Sequence, residues 1–178
     1  HLCRDLVVIY GDYAEYGRQS RLFFAEVRKT FPTVEMASID ECYADATAGL
    51  ASLSVEQMHD FLFDFQLRLL SKTGLKCSIG LGANKFLAKM GSDMKKPLGI
   101  TILLTAEAIR EKLWPLPIER MYGIGKKTWP RLEEAGIMTI GDLANAVGGT
   151  AKTTLGSMFE WLVAEANGAG SDFVDTSA

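Results

Sequence analysis

Uncharged side chains recur at helical spacing near the start of the chain. Tyr13, Tyr16, Ser20, Phe23, Phe24 and Val27 fall at i, i+3, i+7, i+10, i+11 and i+14. That spacing predicts an amphipathic helix, and Phe31 followed by Pro32 ends it. A second helix is predicted from Ser54, with Gln57 three residues on to complete a capping box. Met58, Phe61, Leu62, Phe65 and Leu69 give it one apolar face. Strand-like runs surround these helices. "LVVIY" (6–10) reads as a short strand broken by "GDY", while "TVEMAS" and "CYADAT" read as two extended runs flanking residues 39–41. "LKCSIGLG" reads as a buried strand, "ANKFLAKMGSDMKK" as a helix, and "GITILL" as another strand after Pro97 and Gly99.

That order, with a hairpin at its centre, predicts an α+β layer: a sheet with helices packed on one face. After Thr105 the pattern changes to short helices broken by Pro115, Pro117, Gly123, Gly125, Gly136 and Gly148. A domain boundary is therefore expected near residue 104. Residues 105–168 form a small all-α unit, and the polar 169–178 form a linker leading elsewhere. No repeat of 20 to 50 residues and no low-complexity segment is present.

Asp40 and Glu41 sit between the two extended runs. Neighbouring strand residues point to opposite faces, so a strand interior would separate them. At the tight turn of a hairpin the alternation lapses, and both carboxylates can project from one edge. Two hard oxygen donors held that close suit Mg²⁺, which takes few protein carboxylates and fills its shell with water and phosphate oxygens. Acidic residues also favour turns for local reasons, so the dipeptide leaves both readings open.

At 178 residues and 48% hydrophobic, the chain can bury a core and has room for one or two domains. No apolar run reaches the roughly 18 residues of a membrane span. The chain starts without Met, without a signal-peptide layout and with a strand-like run under way, which leads us to expect a piece of a longer protein. Cys3, Cys42 and Cys77 form no CxxC pair, and with only His1 and His59 neither a zinc site nor a Ser-His-Asp site is supported. A reducing cytoplasm fits.

The net charge of −3 hides a partition. Residues 1–71 carry 6 basic and 11 acidic groups, residues 72–96 carry 6 and 1, and residues 97–178 carry 7 and 10. Positive charge is concentrated in the central stretch. On helical spacing Lys85, Lys89, Ser92 and Lys96 share one stripe, with Leu87, Met90 and Met94 opposite. Such a stripe suits a triphosphate or a nucleic-acid backbone, and is equally what a solvated helix face looks like. Lys96 precedes Pro97, which biases it out of the helical region and puts it at the helix end.

"LPIERMYGIGKKTWPRLEEAGIMTIGDLA" twice sets a loop before a helix. Gly123 and Gly125 permit close backbone approach, and the amides at the helix start, beside Lys126 and Lys127, make an anion site that suits a DNA phosphate. Gly136 ends that helix, Thr139 caps the next, and Asp142 suits its first turn. This is a helix-hairpin-helix pattern.

Taken together, these segments resemble the Y-family translesion DNA polymerases. "SIDECYADAT", "SIGLGANKFLAKMGSDMKKPLGI" and "LPIERMYGIGKKTWPRLEEAGIMTIGDL" are similar to three long motifs of that family, in the family's order, over about residues 2–174. Cys42 and Ala44 depart from the usual residues without changing the chemistry. Pro130 is tolerable if it falls among the first residues of its helix. The resemblance implies a partial ferredoxin-like palm over 1–104, a helix-hairpin-helix thumb over 105–168, and a linker toward a little-finger domain. It implies that Asp40 and Glu41 are catalytic, metal-binding carboxylates for Mg²⁺ (two ions in the complete enzyme). It implies that Lys96 contacts the incoming dNTP, and that Gly123, Ile124, Gly125, Lys126, Lys127 and Thr128 meet primer–template DNA, to which Lys85 and Lys89 are assigned from the basic stripe. A sliding clamp is a further candidate partner, through regions beyond residue 178, and no membrane is expected. The family's first metal-binding Asp, its steric gate and its fingers have no counterpart in these residues. The chain alone is therefore expected to be inactive, and the alternative is a non-catalytic helix-hairpin-helix DNA-binding module.

Overall fold

The computed structural model describes residue 3 and residues 5–177. Helix α1 (Tyr13–Thr30) starts where the Asp12 carboxylate accepts the Glu15 N–H at 3.0 Å, and ends at Phe31, whose backbone is extended ahead of Pro32. Helix α2 (Thr47–Leu50) is a single turn, and α3 (Val55–Thr73) opens on the full Ser54–Gln57 capping box. Gly74 closes α3 at φ 72°, a conformation that costs glycine little. The two long helices pack side by side. Phe31 meets Phe65 edge-on with ring centroids 5.2 Å apart, and Val27, Leu62 and Leu69 close the same core.

Strands β1 (Val34–Met36) and β2 (Cys42–Ala44) form the expected antiparallel hairpin, with Glu35 opposite Tyr43. Strands β3 (Ile79–Gly82) and β4 (Ile100–Leu103) run parallel, joined by α4 (Lys85–Met94). The sheet is thus present as two two-stranded halves over a shared core, since Val34 of β1 and Ile100 and Ile102 of β4 are buried together. The unpaired edges of β2 and β3 line one groove of about 1320 Å³. That groove explains why β3 is half-buried, against the expectation of a buried strand, whereas β4 is buried throughout. The expectation at residues 6–10 also fails. Leu6, Val7, Val8, Ile9 and Tyr10 are 68% to 98% exposed and pair with no strand among the described residues. Propensity alone does not make a strand; a ladder partner does.

Two glycines bring α4 against β3. A Cβ on Gly80 would sit 1.9 Å from the Ala88 carbonyl oxygen, and one on Gly82 would sit 2.7 Å from the Ala88 nitrogen. Helix and strand therefore touch backbone to backbone, which sets the height of the lysine stripe above the hairpin.

The second half is all-helical. Helix α5 (Ala106–Ala108) runs into a π-helical turn (Ile109–Leu113), and a 3-10 turn (Ile118–Arg120) leads to α6 (Trp129–Glu134). Helices α7 (Ile140–Ala144), α8 (Thr150–Leu155) and α9 (Phe159–Ala166) follow, with a 3-10 turn (Gly156–Met158) before the last. Leu113, Ile118, Leu132, Ile140, Leu143 and Leu162 are fully buried, and Leu87, Met90 and Leu103 from the first half join their core. Asn84 ties the halves further, donating to the Gly168 carbonyl at 3.0 Å. Residues 171–175 fold back onto the first half: the Ser171 carbonyl accepts from Lys85 N–H at 3.3 Å, and Asp175 N–H donates to Glu35 at 2.7 Å.

Candidate active site and nucleic-acid interface

A five-residue connection joins β1 to β2, and Ser38 staples it. Its hydroxyl donates to Asp40 Oδ1 at 2.8 Å and accepts from the Asp40 and Glu41 amides at 3.3 and 3.1 Å. The Glu41 carbonyl in turn accepts from the Ala37 and Ser38 amides at 2.9 and 3.1 Å. Asp40 and Glu41 are consequently exposed at the hairpin tip, free of the strand's alternation. Their donor chemistry fits Mg²⁺. Among the described residues no third acidic, His or Cys side chain completes a metal cluster with them.

Helix α4 faces this tip. Asn84 caps it, its side chain accepting the Leu87 amide at 2.8 Å, and Phe86, Leu87 and Met90 bury its opposite face. Lys89 Nζ lies 2.6 Å from Glu41 Oε1 and 3.5 Å from Asp93 Oδ2. Burial works against the Lys89 charge, but Glu41 and Asp93 outweigh it and raise the ammonium above its ordinary value. Lys96, just past the helix, reaches Asp93 Oδ1 at 2.6 Å. Lys85 grips both oxygens of Glu35 at 2.9 Å. The bond from the Asp175 amide and then that from Lys85 hold the Glu35 carboxyl below its ordinary value. The expected stripe is thus present, and three of its lysines are already paired within the chain. In the groove below, burial pushes the Cys42 and Cys77 thiols up to about 11, which leaves no reactive thiolate there.

The hairpin of the second half contrasts with α4. Gly123 has φ 92°, Ile124 anchors into the core, and Gly125 opens onto empty space. The amides of Gly125, Lys126 and Lys127 donate to no backbone oxygen among the described residues, and Thr128 turns back onto the Gly125 carbonyl at 2.8 Å. Lys126 and Lys127 are exposed and form no salt bridge among the described residues. Pro130 falls in the first two positions of α6, where its missing N–H costs nothing. Thr139 and Asp142 form a complete capping box on α7, and the Thr139 amide holds the Asp142 carboxyl below its ordinary value.

Sequence reasoning passed over Ser38, Asp93, Glu35 and the two β3 glycines. Two signals were available. Ser38 precedes Asp40 by two residues in a turn, and Asp93 stands at i+4 from Lys89 and i−3 from Lys96.

An acidic hairpin tip thus faces a basic helix, and a helix-hairpin-helix turn follows in the second half. The chain belongs to the impB/mucB/samB family: that family's profile matches residues 1–93, and the profile of its helix-hairpin-helix motif matches residues 106–137. The particular relatives carry one name. DNA polymerase IV of Bacillus velezensis is 45% identical over 167 residues, which is 94% of this chain and 39% of the relative. DNA polymerase IV of Oceanobacillus iheyensis is 42% identical over 177 residues, covering 99% of this chain and 41% of the relative. Among solved structures, DinB from Sulfolobus solfataricus superposes with a TM-score of 0.84 at 25% identity over 95% of this chain and 49% of that one. A ternary complex of Dbh gives 0.83 at 25% identity over 95% and 50%. The chain spans about two fifths of the length of these curated relatives. The family and the α+β fold with a helix-hairpin-helix agree with the expectations from sequence. No helix among the described residues is long and apolar enough to cross a membrane.

Proposed function

We propose that the chain is part of the palm (1–104) and the thumb (105–168) of an error-prone, template-directed translesion DNA polymerase working on DNA in the cytoplasm, with 169–178 as the connection onward. The reaction is in-line attack of a primer 3′-hydroxyl on the α-phosphate of a dNTP, with pyrophosphate leaving. The observation that carries this is the meeting of the hairpin tip and α4: Glu41, beside Asp40, lies 2.6 Å from Lys89 on the helix that leads to Lys96.

Asp40 and Glu41 would hold Mg²⁺, two ions in the complete enzyme, and bound metal would supply positive charge to the phosphates and lower the pKa of the attacking hydroxyl. Ser38 holds Asp40 Oδ1 and the amides of Asp40 and Glu41, so the turn is already formed before a ligand binds. Lys96, the most exposed lysine of the cluster, takes the triphosphate. The free amides of Gly125, Lys126 and Lys127, with both ammonium groups, take a DNA phosphate, and Gly123, Ile124 and Thr128 shape that turn. Lys85 and Lys89, assigned to DNA from the basic stripe, serve first as partners of Glu35 and Glu41.

The test is single-turnover primer extension by the longer parent protein carrying Asp40→Ala or Glu41→Ala. Loss of nucleotide addition with primer–template binding retained supports the assignment. Near-normal extension by either variant would refute it, whereas no extension by the unsubstituted parent would favour a non-catalytic DNA-binding module.

A further inference from the structure

Four side chains form one alternating row. Glu41 holds Lys89 at 2.6 Å, Lys89 stands 3.5 Å from Asp93 Oδ2, and Asp93 Oδ1 holds Lys96 at 2.6 Å. Each inner member has two partners and favours the outer one. We propose that Asp93 is a positioning residue that sets when Lys96 is free to take a triphosphate, by sharing its carboxylate between Lys96 and the Lys89 ammonium that holds Glu41. This rests on the roles proposed above for Glu41 and Lys96.

The Lys89 side chain is 15% exposed, so its ammonium is only partly solvated and gains from a second anion when a bound cation takes over the Glu41 carboxylate. Its nearest other anion is the Asp93 oxygen at 3.5 Å, within one rotamer adjustment. Asp93 then spends its charge on Lys89 and holds Lys96 less tightly. Lys96, at 57% exposure, is the member with least to lose by leaving. The row has two arrangements: one pairs Glu41 with Lys89 and Asp93 with Lys96, and the other pairs Lys89 with Asp93 and leaves Lys96 open. A ligand at either end biases the same equilibrium, so capture of Glu41 and anion binding at Lys96 are coupled.

The experiment uses residues 1–178 in EDTA, with tripolyphosphate as the probe and titration calorimetry as the readout. Glu41→Gln stands in for a carboxylate whose charge has been taken. Asp93→Asn is expected to tighten tripolyphosphate binding about 2- to 5-fold, because exposed pairs of this kind hold that much. Glu41→Gln is expected to tighten it in the wild-type background and by at least two-fold less in the Asp93→Asn background, since only the through-space charge effect survives there. Asp93→Ser reproduces the Asn result and guards against a folding defect, with circular dichroism checking both. Strictly additive effects, or unchanged affinity in folded Asp93→Asn, overturn the role of Asp93 while leaving Lys96 in place. Tripolyphosphate binding that is equally tight in Lys96→Ala overturns the assignment of Lys96 and this proposal with it.

Discussion

Lys89 Nζ and Glu41 Oε1, 48 residues apart in sequence, stand 2.6 Å from each other and join the hairpin tip to α4. The contact puts a cation against one of the two carboxylates assigned to metal. A metal at this tip would therefore compete with the ammonium for Glu41, whereas among the described residues the Asp40 carboxylate is held by Ser38, at 2.8 Å.

Substitution of either carboxylate in the longer parent should slow nucleotide addition on the order of 10³-fold or more, since several kcal/mol of transition-state stabilisation are removed. Duplex binding, measured by fluorescence anisotropy, should change little. Of the two, Glu41→Ala should also remove the 2.6 Å partner of Lys89, visible as a shift of its Nζ resonance in a lysine-selective NMR spectrum.

Replacing Lys126 and Lys127 with Ala should weaken binding to unrelated duplexes alike and flatten the plot of log affinity against log salt by about 1–2, because each phosphate contact contributes roughly 0.9. A loss confined to one base sequence would mean that the turn reads base edges rather than phosphates.

Residues 1–178 by themselves should not extend a primer with Mg²⁺ and all four dNTPs. Two exposed carboxylates on one turn hold Mg²⁺ weakly and leave most of its water in place. Extension at the rate of the longer parent would show that these two ligands suffice.

The fold-back of residues 171–175 should loosen in acid. Glu35 has its folded value lowered, so its contribution is present in full above the ordinary value of 4.5 and is lost as pH falls through the lowered one. The melting temperature should fall across that window, and Glu35→Gln should start lower and flatten the fall. Limited proteolysis near residue 175 should rise over the same pH range in the unsubstituted chain and stay constant in the variant.

Gly80→Ala should lower the melting temperature by roughly 5–10 °C, since a Cβ cannot fit 1.9 Å from the Ala88 carbonyl oxygen and α4 must lift off β3. Gly49→Ala, with nothing within 4 Å, is the control and should have no such effect.

Local rules were legible in the residues. The Ser54–Gln57 box, the Thr139–Asp142 box, the Phe31–Pro32 stop and the lysine stripe each depend on neighbours within four positions, and each stands where its spacing put it. Asp40 and Glu41 were placed at a turn for the same reason, because two short strand patterns flank them. What spacing could not carry was everything that depends on a distant partner. Residues 6–10 have strand propensity and no ladder, and β3 has a strand pattern and an open edge. Three lysines that read as free charges are paired, two of them with Glu35 and Glu41, some 50 residues away, and Lys96 with Asp93 in the last turn of the helix before it. A helix stripe tells which charges share a face. Only packing, here the glycine contact that lowers α4 onto β3, tells which charges on another element they meet.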